Sequence, residues 1–218
     1  FSGTNIKEIF IPSQLKEVGN LWCCIEDNLN KIEISPENKN FIMKDGQLLL
    51  GKSDPNCDNF DVLLFAVRNI SKVQIPSNIK IISSYAFCDC HNLVTIEIPE
   101  NSELQLIEKY AFAGTNIKEI FIPPHVSKIC KSAFYSCKNL EIIEIPKNSE
   151  LQLIEERAFD NTKIKEIFIP PHVSKICEYA FASCENLEII KIPNNSELQS
   201  IEEYAFYNTK IKEIFIPP

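Results

Sequence analysis

Glycine is scarce in this chain of 218 residues, five in all and scattered, so there is no glycine-rich loop to cradle a phosphate. Basic residues are outnumbered: 22 Lys and Arg against 30 Asp and Glu leave a formal charge of -8. That balance argues against nucleic acid or an anionic lipid surface as the main partner, because both are held by clustered Lys and Arg. No run of about 18 apolar residues occurs, so no membrane insertion is expected of this segment. The opening Phe1-Ser2-Gly3-Thr4-Asn5 lacks the pattern of a signal peptide and nearly copies the internal Phe112-Ala113-Gly114-Thr115-Asn116. The chain therefore reads as a piece of a longer protein.

What is abundant is repetition. Ile117-Lys118-Glu119-Ile120-Phe121-Ile122-Pro123-Pro124 returns letter for letter at 164–171 and 211–218, each time after 47 residues. Such a period marks a solenoid, in which one unit cannot bury its own apolar face and must stack on its neighbours. A shorter motif, apolar-x-x-apolar-x-apolar-Pro, starts at Ile6, Leu29, Ile70, Leu93, Ile117, Leu140, Ile164, Leu187 and Ile211, with steps of 23 or 24 residues except between Leu29 and Ile70. The reading is one solenoid over 1–218 with about nine rungs and an insertion at 35–69.

Within a rung, Leu140-x-x-Ile143-x-Ile145-Pro146 reads as a strand with Ile143 and Ile145 inward and Ile142 and Glu144 outward. An apolar pair such as Val126-x-x-Ile129 follows, then Ala133-Phe134-x-x-Cys137, whose spacing suits a short 3₁₀ or helical turn. Phe87, Phe112, Phe134, Phe159, Phe181 and Phe206 hold that wedge position, each behind a small alanine. The copies 117–163 and 164–210 differ where this assignment points outward: Lys131/Glu178, Lys138/Glu185, Glu144/Lys191, Arg157/Tyr204 and Asp160/Tyr207. In the insertion, Phe41-Ile42-Met43 and Leu48-Leu49-Leu50 flank Asp45-Gly46, a β-hairpin signal, and Val62–Val67 should pack the hairpin on the solenoid.

The consensus IP-x-x-V-x-x-I-x-x-x-AF-x-x-C-x-x-L-x-x-I-x-IP resembles the BspA-like class of leucine-rich repeat over nearly the whole chain, and the hairpin is similar to a known interruption of that class. The resemblance implies a curved leucine-rich repeat solenoid with a parallel sheet on one face, carried by surface or secreted proteins of bacteria and protozoan parasites. It implies adhesion, with a protein or glycan partner on host cells or extracellular matrix; fold alone does not fix the ligand. Alternate units depart from the consensus by carrying Asn-Ser-Glu-Leu, and Asn-Thr in place of the cysteine, as at 148–151 and 161–162. This departure is expected to alter local curvature.

Candidate chemistry is thin. Cys90, Cys137 and Cys184 fall at one inward position two rungs apart, on the order of 10 Å at ~4.8 Å per strand, too far for a disulfide. Cys88, Cys90 and His91 have ligand character, but register turns Cys90 inward and His91 outward, away from a shared metal. Neither His125 and His172 nor any Ser/His/Asp or Cys/His set converges, so no catalytic, metal or cofactor site is assigned and enzymatic activity is not expected. The outward strand residues form a checkerboard: Glu119, Ile142, Glu166, Ile189 and Glu213 beside Phe121, Glu144, Phe168, Lys191 and Phe215. Exposed rings among charges suit a protein-binding face, although phenylalanine suits a strand in any case. Asn69 and Asn194 begin glycosylation sequons, Asn194 in the better loop context. The competing reading is an intracellular interaction scaffold, and unpaired terminal strands at Ile6 and Ile211 suggest end-to-end self-association.

Overall fold

A computed structural model describes residues 4–19, 22 and 28–216. Its elements are short strands: β1 (Glu8–Ile11), β2 (Lys31–Ile34), β3 (Ile42–Lys44), β4 (Leu48–Gly51), β5 (Val62–Ala66), β6 (Lys72–Gln74), β7 (Ile81–Ile82), β8 (Thr95–Glu97) and β9 (Leu106–Ile107). They continue with β10 (Glu119–Phe121), β11 (Lys128–Ile129), β12 (Ile142–Glu144), β13 (Leu153–Ile154), β14 (Glu166–Phe168), β15 (Lys175–Ile176), β16 (Ile189–Lys191) and β17 (Ser200–Ile201). From β6 onward each coil runs from a motif strand through a loop to a two-residue strand and an Ala-Phe corner.

The solenoid with a parallel sheet is the architecture expected, but the continuous ladder lies elsewhere than on the motif strands. It joins the second strands in the order β17-β15-β13-β11-β9-β7-β5-β4-β3. The motif strands pair only in twos, β1 with β2, β6 with β8, β10 with β12 and β14 with β16. Every paired step is 23 residues long, while the 24-residue steps Leu93 to Ile117 and Leu140 to Ile164 join strands that do not pair, and the third, Leu187 to Ile211, leads to a segment without a strand. The longer units gain two residues in the loop after proline (Pro99 to Leu104 against Pro123 to Val126) and lose one before the next motif (Thr115 to Ile117 against Cys137 to Leu140). Among the described residues the ninth motif segment, at Ile211, forms no strand.

The corners are not helical. In Ser132-Ala133-Phe134-Tyr135-Ser136 the first and fifth residues have φ of 55° and 58°. The same two places are left-handed at Tyr85/Asp89, Arg157/Asn161, Tyr179/Ser183 and Tyr204/Asn208, and at Tyr110 with Gly114. Backbone N–H groups consequently alternate in direction. Ala133, Tyr135 and Cys137 donate within the coil to Cys130, Ser132 and Phe134, while Ser132, Phe134 and Ser136 donate to Glu156, Ala158 and Asp160 of the next coil at 2.8–2.9 Å. A helix would spend every N–H on its own axis; this corner sends half of them across, extending the ladder around the bend.

Inside the corners Phe87, Phe112, Phe134, Phe159 and Phe181 are fully buried. With Phe206 they form one stack whose centroids are 5.0–5.4 Å apart and whose planes lie within 13° of parallel. The preceding alanines are buried too, and no larger side chain would let the coils approach so closely. The stack begins at Ala66, which donates to Ala86 as each phenylalanine does to the alanine beyond it. There Arg68 is 3% exposed, lies over the Phe65 ring at 4.2 Å and donates to the Ala86 carbonyl and the Cys90 sulfur.

In the insertion, Asp45 and Gly46 have φ of 52° and 65°, the type I′ pattern that matches strand twist. β3 and β4 are antiparallel, β4 pairs antiparallel with β5, and β5 runs parallel to β7, which carries the hairpin into the ladder. β4 is a shared wall: Leu49 packs with Ile11, Leu29 and Phe65, whereas Leu48 and Leu50 face the main core. That double burial explains why Leu48–Leu50 is a continuous apolar run and not an alternating one.

Candidate functional site

Alternation places the motif-strand side chains. Ile120, Ile167 and Ile190 are buried, so their neighbours point outward. In register, Glu119 stands beside Ile142 and Phe121 beside Glu144, and 47 residues later Glu166 stands beside Ile189 and Phe168 beside Lys191.

The outward residues are not equally available. Ile142 is 57% and Ile189 48% exposed, large values for isoleucine on a strand. Phe121 and Phe168, expected to face solvent, are half-buried. Their in-register neighbours are Glu144 and Lys191, long side chains whose methylene stems cover apolar surface. Glu213 and Phe215 are exposed, Phe215 at 65%, in a segment without strand pairing. Phe10, in the equivalent place on β1, is 61% exposed; the motif alignment alone would have included it in the checkerboard.

A cleft of about 670 Å³ lies across β12, β14 and β16, spanning the unpaired step from β12 to β14, and is lined by Glu141, Ile142, Ile143, Lys165, Glu166, Asn186, Glu188 and Ile189. Lys165 Nζ reaches across to Glu141 at 2.7 Å, and Lys191 Nζ pairs with Glu166 at 2.9 Å. The Lys165 ammonium holds the Glu141 carboxyl below its ordinary value. Among the described residues Glu188 has no ion-pair partner.

The remaining candidates fall as follows. The described cysteines, Cys57, Cys88, Cys90, Cys130, Cys137, Cys177 and Cys184, are all free; Cys23 and Cys24 lie outside the described residues. Burial pushes the Cys137 thiol up to about 12 and the Cys184 thiol up to about 11. Their sulfurs donate to the Phe112 and Phe159 carbonyls and contact Thr115 and Thr162, so cysteine and threonine alternate down one buried column. His91 is exposed, its Nδ1 3.0 Å from the Gly114 carbonyl, while Cys90 faces the core. His125 and His172 make identical 3.0 Å contacts to Glu150 and Glu197, copies in equivalent loops.

Two assignments from duplication need correction. Asp160, placed outside, is 7% exposed, and Arg157 is half-buried. The guanidinium stacks on Tyr179 at 4.7 Å and donates to Asp160 at 3.3 Å, covering it. Burial nonetheless raises the Asp160 carboxyl.

Sequence reasoning also missed the asparagines preceding the motif strands. Asn28 donates to Asn5, Asn139 to Asn116, and Asn116 to the His91 carbonyl. Asn-Ile or Asn-Leu opens most motif copies, so the signal was there to find. Asn69 and Asn194 are exposed, and Asn194 lies in the turn that Ser196 closes onto Pro193. Among the described residues no helix is long and apolar enough to cross a membrane.

The profile of the BspA type leucine rich repeat region matches the chain over 59–170 and 105–218. A leucine-rich repeat protein of Eubacterium ventriosum superposes with a TM-score of 0.77 at 20% identity, covering 95% of this chain and 60% of that one. One from Bacteroides ovatus gives 0.54 at 28% identity, covering 72% of this chain and 46% of that one. The pneumococcal vaccine antigen PcpA gives 0.55 at 21% identity, covering 97% and 47%. The chain thus spans about half to three-fifths of these structures. Comparison with curated proteins gives no significant match.

Proposed function

The chain belongs to the BspA-type leucine-rich repeat family, and on that premise we propose that it is the non-enzymatic, ligand-recognising part of a cell-surface adhesin. Residues 1–218 act as one recognition unit, the insertion at 35–69 being built into it. The ligand is a protein or glycan of host cells or extracellular matrix, held against the outward motif-strand residues from Glu119 to Phe215. The observation that carries this reading is the exposure of Ile142 and Ile189 at equivalent positions among charged pairs. An isolated exposed isoleucine means little, but the same one repeated at a cleft is an anchor arrangement in which a few desolvated side chains supply most of the affinity. Sugar at Asn194 would fit a surface location and leave the motif-strand face clear.

The test is binding of the purified chain to immobilised matrix proteins and glycans. Ile142→Glu with Ile189→Glu should weaken whatever binding is found at least ten-fold with an unchanged melting temperature. Binding that the double variant leaves intact, or none to either class, rejects the reading.

A further inference from the structure

The cleft between β12 and β14 has a chemistry of its own. Its lining includes Glu141, Lys165 and Glu188, each followed in the chain by a second lining residue, Ile142, Glu166 and Ile189, together with Ile143. Three carboxylates meet two ammonium groups, Lys165 engaging Glu141 at 2.7 Å and Lys191 engaging Glu166 at 2.9 Å, which leaves one carboxylate in excess. Glu188 lacks a partner among the described residues, while Ile142 and Ile189 leave about half their surface in water. A ligand that satisfied this lining would bring positive charge to the rim and apolar surface to the isoleucines.

The lining is not common to every copy of the unit. Forty-seven residues earlier, between β8 and β10, the equivalents of Glu141 and Ile142 are Val94 and Thr95, whereas 47 residues later they are Glu188 and Ile189, which line the same cleft. The carboxylate and the exposed isoleucine therefore occur together in the copies at 117–163 and 164–210 and not in the unit before them.

We propose that this cleft binds an extended protein segment in which lysine or arginine alternates with aliphatic residues, the cation meeting Glu188 and the aliphatic side chain lying against Ile142. Electrostatic complementarity of this kind governs specificity and association rate, and it weakens as salt rises. The proposal rests on the recognition reading above and names the occupant of that face.

The test uses fluorescent peptides of alternating lysine and leucine and of alternating glutamate and leucine. The basic peptide should bind, weaken at least ten-fold between about 50 and about 300 mM salt, and outcompete the acidic one. Glu141→Val with Ile142→Thr, residues the fold already carries at 94 and 95, should reduce binding at least ten-fold without lowering the melting temperature. Phe10→Ala, far along the solenoid, should leave it unchanged. Equal affinity for both peptides, binding of neither, or full binding by the cleft variant overturns the proposal. Matrix-protein binding that Ile142→Glu with Ile189→Glu abolishes, in a chain that takes no peptide, rejects the basic occupant and spares the recognition face; loss of both rejects both.

Discussion

Single side chains differ sharply in what they hold. Phe134 is fully buried between two parallel rings, so Phe134→Ala should lower stability by about 3–5 kcal/mol in chemical denaturation. Phe121→Ala removes a half-buried ring and should lower it by about 1–2 kcal/mol; a loss as large as that of Phe134 would place Phe121 in the core and remove it from the recognition face. Gly114 combines φ of 71° with a backbone so close to Asp89 that a Cβ there would strike the carboxylate. Gly114→Ala should therefore destabilise by about 1–3 kcal/mol, and Asp89→Ala in the same chain should recover part of that loss. The wedge phenylalanines were legible because their spacing is fixed and their chemistry leaves one option. The left-handed corner residues were not, because Tyr and Arg are unfavourable there by about 1–2 kcal/mol each, a strain that only the coil-to-coil hydrogen bonds offset. Asp160 escaped for a related reason: its Tyr207 counterpart suggested the surface, and the covering comes from Arg157, an accident of one coil.

At the scale of elements, the hairpin was legible and the pairing of motif strands was not. Asp-Gly between two apolar runs has one common solution. The alternation of 23 and 24 residues was equally visible, but its effect depends on where the added and lost residues fall, two in a loop and one ahead of the strand. The cleft lies across one of the unpaired steps, so part of the candidate site is marked by a length difference and not by a residue type. What anchors the insertion can be probed by pH. Burial alone would raise the Asp61 carboxyl, but hydrogen bonds from the Ser53 amide and hydroxyl, with the Lys80 ammonium 3.3 Å away, outweigh it and hold the group below its ordinary value. A depressed folded-state value means that the stabilisation is present above the unfolded pKa of about 3.9 and is lost as pH falls through the lower one. Thermal unfolding from pH ~5 to pH ~2 should show a smaller loss of stability in Asp61→Asn than in the wild type; parallel curves would remove Asp61 from the anchor.

For the whole molecule, stability is passed from coil to coil, and no contact closes the stack on itself. In a chain of residues 1–218 taken alone, β17 is the outermost strand of the ladder and Ile201 is 37% exposed, and an edge of that kind can pair with another chain. Sedimentation over rising concentration should show association, and Ile201→Lys should suppress it. The buried alternation of Thr115 with Cys137 and Thr162 with Cys184 bears on how such a molecule changes length. Gain or loss of one coil would set hydroxyl against hydroxyl or thiol against thiol at the junction and would bring two motif-strand steps of the same kind together. Copying or deleting the repeat as a couple keeps both alternations in phase, and each couple changes the length of the stack by roughly 10 Å.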